Sequence, residues 1–240
     1  MSIATNTVSY HVDGMEFEGS IARDPAWQEP RPVVLVAHAW AGRSAFEDQR
    51  AVAIAELGYV GFAIDVYGRG KLGTSVEENS ALMQPLLDDR AQLQTRLHAA
   101  LDTACGLDFV DTAHAAMIGY CFGGLCALDL ARTGAEVSGV VSLHGLFGAP
   151  DNHTDTAIKS RVLALHGWAD PMAQPDTVLA LADEMTRKGA DWQLHAYGNA
   201  LHAFTNPEAN DRDFGTVYDA DADRRSWQAV ANFLAEGFGR

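Results

Sequence analysis

The stretch Gly119-Tyr120-Cys121-Phe122-Gly123-Gly124 joins a short apolar strand directly to a helix that begins near Phe122. A residue on so sharp a strand-to-helix turn takes a strained backbone conformation, and small residues are needed two positions before and after it. Gly119 and Gly123 occupy those positions. The turn exposes the Cys121 thiol at a helix N-terminus, which favours the thiolate. We predict that Cys121 is a nucleophile; a buried structural thiol is the alternative.

Two residues further along the chain fit a nucleophilic cysteine. Asp170 comes just after the predicted strand Val162 to His166, and His202 comes just after a second strand that ends at Tyr197. The order nucleophile, acid, histidine is the one that α/β-hydrolases use. His195 competes with His202 as the base, but it lies in the middle of its strand. The sequence therefore predicts a triad of Cys121, Asp170 and His202, although Asp170 could also be a solvated turn residue.

The hydrophobic pattern predicts an α/β fold. Thr7 to Val12 and Met15 to Ile21 alternate around the turn Asp13-Gly14, which is typical of an antiparallel hairpin. Buried apolar strands then alternate with helical segments, which predicts a mostly parallel central sheet with helices on both faces. Residues 67–105 form a glycine-rich loop and a helical stretch interrupted near Pro85, and they are expected to form a lid or pocket rim. We expect one domain over residues 1–240.

Charge and cysteine content narrow the function. The net charge of −15 argues against nucleic acid or an anionic membrane as a partner. Three cysteines without a disulfide pattern indicate a reducing compartment, and no signal peptide or membrane span is recognisable. We expect a cytoplasmic protein that acts on a small molecule without a cofactor or metal. A homo-oligomer is possible.

Three segments resemble the dienelactone hydrolase family, a cysteine branch of the α/β-hydrolase fold. They are the elbow around Cys121, the acid loop Gly167-Trp168-Ala169-Asp170-Pro171 and the histidine loop Gly198 to Phe204. The resemblance covers nearly the whole chain. It implies a hydrolase that cleaves carboxylic esters or lactones through a thioester on Cys121. By the logic of this fold, the backbone N–H of Phe122 and that of Trp40 (or Ala39) form the oxyanion hole.

Two residues depart from the family pattern. Ala39 stands where family members usually carry a glutamate that contacts the resting thiol, so the way in which Cys121 is activated stays open. Asn206 stands where dienelactone-cleaving members place an arginine that holds the substrate carboxylate. Together with the acidic net charge, this predicts a neutral ester, lactone or similar electrophile.

Several side chains are expected near the site because they fall in loops at strand ends. They are candidates for the substrate pocket, and ordinary core packing is the competing interpretation. These residues are His38, Tyr67, Phe147, Trp168 and Phe204.

Three further functions compete with ester hydrolysis. The same triad could attack a neutral phosphotriester. His38, His144 and His166 lie at strand ends and raise the possibility of a metal hydrolase, although they lack the H-x-H or H-E-x-x-H spacing. Finally, Cys121 could be a redox-sensing thiol in a non-catalytic binder.

Overall fold

A computed structural model describes residues 2–239 of the chain. The chain divides into two compact units, one up to Ile118 and the other from Gly119. A single domain over residues 1–240 stays a prediction.

The first unit opens with the predicted hairpin. Strands β1 (Ala4–Val12) and β2 (Met15–Arg23) pair antiparallel around Asp13 and Gly14, whose φ angles of 50° and 79° lie in the left-handed region that such a turn requires. Strand β2 continues antiparallel to β4 (Val60–Ile64), and β3 (Arg31–Ala37) pairs parallel with β4. The antiparallel start and the change to parallel pairing are therefore as predicted.

Helix α1 (Ala45–Glu56) connects β3 to β4, and helices α2 (Val76–Asp88) and α3 (Arg90–Cys105) follow β4. The predicted interruption of the last stretch lies at Asp89 and not at Pro85. Pro85 is inside α2, one turn before its end, where the missing N–H costs one hydrogen bond. Asp89 ends α2 and caps α3, because its side chain accepts from the backbone N–H of Gln92.

The second unit is a parallel α/β arrangement. Strand β5 (Val110–Tyr120) leads into it, followed by α4 (Phe122–Arg132), β6 (Gly139–Leu143), β7 (Arg161–Gly167), α5 (Pro175–Arg187), β8 (Trp192–Tyr197) and α6 (Ala220–Gly237). Strands β6, β7 and β8 are parallel neighbours in that order. Their carboxyl ends therefore meet at one edge, where sites lie in such sheets. A short hairpin of β9 (Asn210–Asp211) and β10 (Thr216–Val217), absent from the prediction, precedes α6.

A buried charge network ties α4 to α5 and to the loop after β6. Arg132, at the end of α4, is fully buried and donates to the Glu184 carboxylate at 2.7 and 3.0 Å and to Asp129 at 3.2 Å. It also donates to the carbonyl oxygens of Phe147 and Gly148. Because a buried guanidinium must be fully hydrogen-bonded, this network fixes the position of the 147–148 backbone.

Candidate active site

Cys121 occupies a strained turn between β5 and α4. Its φ of 56° and ψ of −116° lie outside the regions that a non-glycine residue normally adopts. A Cβ on Gly119 would lie 1.9 Å from the carbonyl oxygen of Gly123, so strand and helix approach too closely for any side chain there. The backbone N–H of Cys121 donates to the Leu143 carbonyl at 3.1 Å. The structure thus has the strand-to-helix turn that the glycine pattern predicts.

His202 and Asp170 form a buried hydrogen-bonded pair. His202 Nδ1–H donates to Asp170 Oδ2 at 2.7 Å, and the other carboxylate oxygen accepts from the Met172 N–H at 2.8 Å. Both side chains are almost fully buried. The carboxylate therefore fixes the orientation of the imidazole, and Nε2 is the ring nitrogen that Asp170 does not bind.

His202 also interacts with Cys121. Burial lowers the pKa of His202, but the negative charge of the Cys121 thiolate and the hydrogen bond to Asp170 outweigh this effect and raise it to about 10. Within residues 2–239, His202 Nε2 is buried and has no hydrogen-bond partner of standard geometry, and Cys121 acts on the ring through its charge. Cys121 therefore lies close enough to the hydrogen-bonded pair of His202 and Asp170 to act on the charge of the imidazole.

Backbone contacts hold the acid loop against the histidine loop. The N–H of Trp168 donates to the Tyr197 carbonyl at 2.9 Å, and that of Ala169 donates to the Ala200 carbonyl at 3.1 Å. A Cβ on Gly167 would lie 2.6 Å from the carbonyl oxygen of Ala200, so the approach requires glycine. These contacts fix the distance between the two loops that carry Asp170 and His202.

The β9–β10 hairpin supports the pair of His202 and Asp170 through backbone contacts. The His202 N–H donates to the Gly215 carbonyl at 3.0 Å, and the Val217 N–H donates to the His202 carbonyl at 3.1 Å. Gly215 has a φ of 84°, and a Cβ there would lie 2.2 Å from Cγ of Pro171 in the acid loop. Sequence reasoning missed this support because strands of two residues carry no periodicity.

His144, which follows β6, lies against the histidine loop. Its ring meets the His202 ring edge-on with 5.1 Å between centroids, and the Phe204 ring lies 5.0 Å away on the histidine loop. His144 Nε2 shares a 2.8 Å hydrogen bond with Thr205 Oγ1. The sequence suggested His144 only as a possible metal ligand. The signal for its contact with His202, which was missed, is that His144 directly follows the carboxyl end of β6.

The predicted pocket residues of the second unit occupy different environments. Phe204 is fully buried between His144 and Tyr197, and Phe147 is buried with its ring 5.5 Å from that of His166. Trp168 is 47% exposed. Of these three aromatic side chains, Trp168 offers the most surface to a ligand, and Phe147 and Phe204 are buried.

The predicted site residues of the first unit are joined by their own hydrogen bonds. His38 is fully buried; its Nδ1–H donates to the Ala39 carbonyl at 2.7 Å, and its Nε2 accepts from the Val66 N–H at 3.2 Å. Burial lowers the pKa of His38, which keeps the ring neutral. Tyr67 donates its hydroxyl to the Trp40 carbonyl at 2.9 Å. His38 therefore holds two strand ends together, and its contact with a substrate stays a prediction.

Glu47 accepts a hydrogen bond from one backbone N–H of the loop between β3 and α1. Its carboxylate is buried, accepts from the Ala39 N–H at 3.3 Å and caps helix α1 through Ser44. Of the two candidate oxyanion donors in this loop, the Ala39 N–H thus already has a hydrogen-bond acceptor.

The described residues contain neither a candidate metal cluster nor a candidate membrane span. Between residues 2 and 239, no group of three or more histidine, cysteine, aspartate or glutamate side chains could hold a metal ion. Within the same range, no helix is both long and apolar enough to cross a membrane.

Comparisons with known proteins identify the family of this chain. The model of the dienelactone hydrolase family matches residues 17–238. A crystal structure of a dienelactone hydrolase-like promiscuous phosphotriesterase from metagenomic libraries is 35% identical, with a TM-score of 0.93, and the alignment covers 98% of this chain and 99% of that one. An uncharacterized protein of Caenorhabditis elegans is 36% identical over 157 residues, which cover 63% of this chain and 98% of that protein. A putative carboxymethylenebutenolidase of Aquifex aeolicus is 25% identical over 232 residues, which cover 95% of this chain and 96% of that one.

Proposed function

Because the chain belongs to the dienelactone hydrolase family, we propose that it hydrolyses carboxylic esters and lactones with Cys121, His202 and Asp170 as its catalytic residues. The family, the mostly parallel α/β fold and the hydrolase class predicted from the sequence are confirmed. One observation carries the residue assignment: a strained cysteine at a helix N-terminus raises the pKa of a buried histidine that is hydrogen-bonded to a carboxylate.

The reaction follows from these protonation states. The Cys121 thiolate attacks the carbonyl carbon, and the carbonyl electron pair moves onto oxygen. When the tetrahedral intermediate collapses, the bond to the leaving oxygen breaks, and His202 gives the Nε2 proton to that oxygen. A thioester on Cys121 and a free alcohol result. His202 then takes a proton from water, which attacks the thioester and releases the carboxylic acid and the thiolate.

The oxyanion needs donors that are in place before the reaction. We assign the N–H of Phe122, the first residue of α4, to this role, because the first N–H groups of a helix point out of its N-terminus. The second donor, the backbone N–H of Trp40 or that of Ala39, stays a prediction.

The substrate is proposed to be neutral. Arg43 and Arg69 are two basic residues that could hold a substrate carboxylate in place of the missing family arginine. Arg43 already pairs with Asp48 at 2.6 Å, and Arg69 pairs with Glu16 at 3.0 Å and with Glu18 at 3.2 Å. Because these guanidinium charges are neutralised, neither is expected to attract an anionic lactone.

Phosphotriester hydrolysis is the second candidate. The observation that favours it is the 35% identity, over nearly the full length, to a protein described as a promiscuous phosphotriesterase. The same thiolate and oxyanion donors would serve, with attack at phosphorus and departure of an aryloxide. Metal-dependent hydrolysis and a redox-sensing role for Cys121 rank below both of these activities. A cytoplasmic location and a homo-oligomer also stay predictions.

The proposal is tested by measuring the turnover of several substrates by the wild type and two variants. Neutral aryl esters, a neutral lactone and a neutral aryl phosphotriester are assayed with the wild type, Cys121→Ala and the thiol control Cys105→Ala. We expect ester and lactone turnover that Cys121→Ala loses and Cys105→Ala keeps, and an acyl adduct on Cys121 detectable by intact mass spectrometry. Full ester turnover by a folded Cys121→Ala protein would refute the assignment.

A further inference from the structure

The carboxyl end of β6 contacts the elbow around Cys121 through its backbone. The Cys121 N–H donates to the Leu143 carbonyl at 3.1 Å. A Cβ on Gly124, in the first turn of α4, would lie 2.7 Å from Cα of Gly145, so this turn and the loop after β6 are in close contact. His144 lies between Leu143 and Gly145, and these two contacts fix its backbone relative to Cys121.

The side chain of His144 reaches from this backbone to the histidine loop. It is almost fully buried, and its Nε2 shares a 2.8 Å hydrogen bond with Oγ1 of Thr205, which is also buried. The His144 ring lies 5.1 Å from the His202 ring between centroids, at an angle of 68° to it. The Phe204 ring packs against the same imidazole at 5.0 Å. One side chain from the end of β6 therefore contacts His202, Phe204 and Thr205.

His144 has an unusual backbone conformation. Its φ of 38° lies in the left-handed region, which non-glycine residues adopt rarely and at some cost in energy. Such conformations persist where the surrounding structure enforces them, and they are concentrated at functional sites. The strain at His144 therefore directs attention to what its side chain does.

The hydrogen bond to Asp170 leaves the His202 ring one freedom. A single bond at Nδ1 holds that atom, but the ring can still tilt about it, and a tilt displaces Nε2. The His144 ring packs against His202 and opposes this tilt, and Thr205 holds the His144 ring in place. In the proposed reaction Nε2 exchanges protons with the leaving group and with water at Cys121, and such steps depend strongly on small displacements.

We propose that His144 is a positioning residue, which holds the His202 ring in place relative to Cys121 through its hydrogen bond to Thr205. The inference rests on the proposed hydrolysis, in which His202 moves the protons. His144 itself transfers no proton and touches no reacting atom. Its effect is on the rate of the chemical steps and not on the binding of the substrate.

Thr205→Val tests the hydrogen bond, because valine keeps the shape of threonine and lacks the hydroxyl. With a neutral aryl ester, kcat should fall about tenfold or more, and KM should stay within about twofold of wild type. Thr205→Ser restores the hydroxyl and should bring kcat back to within about threefold of wild type.

His144→Phe removes the same bond from its other end and keeps a ring of similar size. It should also lower kcat about tenfold or more. The double variant His144→Phe, Thr205→Val should lose no more than the weaker of the two single variants, because both changes remove one shared interaction.

Thr133→Val is the matched control. Thr133 follows α4 at the end opposite Cys121, and its hydroxyl donates to the Leu130 carbonyl at 2.7 Å. The same loss of a hydroxyl should leave kcat unchanged there. Thermal melting identifies the variants that are folded at the assay temperature, and His144→Phe makes the comparison if Thr205→Val is not among them.

A second measurement needs no turnover. In histidine-labelled protein, the Nδ1 proton of His202, which is bonded to Asp170, should give a downfield NMR signal. This signal should shift or broaden in Thr205→Val and stay unchanged in Thr205→Ser and Thr133→Val.

The proposal is overturned if folded Thr205→Val or His144→Phe keeps both kcat and the His202 signal. It is also overturned if Thr205→Ser loses as much kcat as Thr205→Val, or if the losses of the two single variants add up in the double variant. A wild-type protein without ester turnover would refute the proposed hydrolysis instead, and the NMR signal alone would then decide whether His144 and Thr205 hold His202.

Discussion

His202 Nδ1 lies 2.7 Å from Asp170 Oδ2, and both side chains are shielded from solvent. The two residues are 32 positions apart in the sequence and come from the loops after β8 and β7. Because β7 and β8 are parallel neighbours, their carboxyl ends lie side by side and bring the loops together. The pair therefore follows from the order of the strands, and its orientation follows from the backbone hydrogen bonds that fix each loop.

Asp170→Asn should lower kcat for a neutral aryl ester by about 10²-fold or more, because the amide no longer fixes the reactive tautomer of His202. KM should change little, since Asp170 is buried and does not reach a substrate. Steady-state kinetics with a thermal-melting control checks this expectation. A kcat within threefold of wild type in a well-folded variant would contradict the role of Asp170.

The pKa of His202 should depend on Cys121. Imidazole NMR of histidine-labelled protein should show His202 titrating near pH 10, because the thiolate charge is the largest effect that raises its pKa. In Cys121→Ser, which carries no charge, the pKa should fall markedly, since burial then dominates. The signal is assigned with His202→Gln.

The direction in which the rate changes with pH follows from the pKa of His202. Below about pH 10 His202 carries the proton that the leaving group needs, and above it that proton is lost. The rate should therefore decline as pH rises through about 10. An alkaline limb that starts near pH 7 would show that His202 and the thiolate do not form the charged pair.

Gly215→Ala should reduce activity as well as stability. The new Cβ would meet Pro171 at 2.2 Å and occupy a left-handed conformation, so the hairpin would shift and carry the His202 backbone with it. Gly189→Ala is the matched control, because Gly189 also has a positive φ, 71°, but its Cβ would meet nothing within 4 Å. Both should lose about 1 kcal/mol or more in urea unfolding, and only Gly215→Ala should lose kcat. Equal kcat values for the two variants would count against the hairpin as a support of His202.

The sequence says more about three single residues than about their surroundings, for physical reasons. A glycine-flanked turn and two strand ends are local signals that single out Cys121, Asp170 and His202 without coordinates, and their joint catalytic role stays a prediction. The His144–Thr205 hydrogen bond joins side chains 61 positions apart, and no local pattern encodes it. The break at Asp89 was misplaced to Pro85 because a proline near a helix end costs less than one in the middle.

Arg132→Lys should destabilise the protein although it keeps the charge. A lysine cannot reproduce the planar fork that bonds Glu184, Asp129 and two backbone carbonyls at once. The loss in free energy of unfolding is expected to be about 3 kcal/mol, as when a buried pair loses a partner. Arg224→Lys, on an exposed pair, should cost less than about 1 kcal/mol. Urea unfolding of both variants makes the comparison, and similar losses would show that the buried network contributes little.

The charge of the substrate should affect kcat/KM. A neutral aryl ester should have a higher kcat/KM than a lactone of similar size that carries a free carboxylate, because Arg43 and Arg69 are paired and the net charge of −15 repels an anion. Raising the salt concentration should reduce the difference in kcat/KM between the two substrates, since salt screens the repulsion over about 10 Å at 0.1 M. Arg43→Gln should leave the ratio nearly unchanged, because it removes a charge that is already neutralised. If the anionic lactone is preferred at low salt and Arg43→Gln or Arg69→Gln abolishes that preference, one of these arginines holds the substrate carboxylate and the neutral-substrate proposal is wrong.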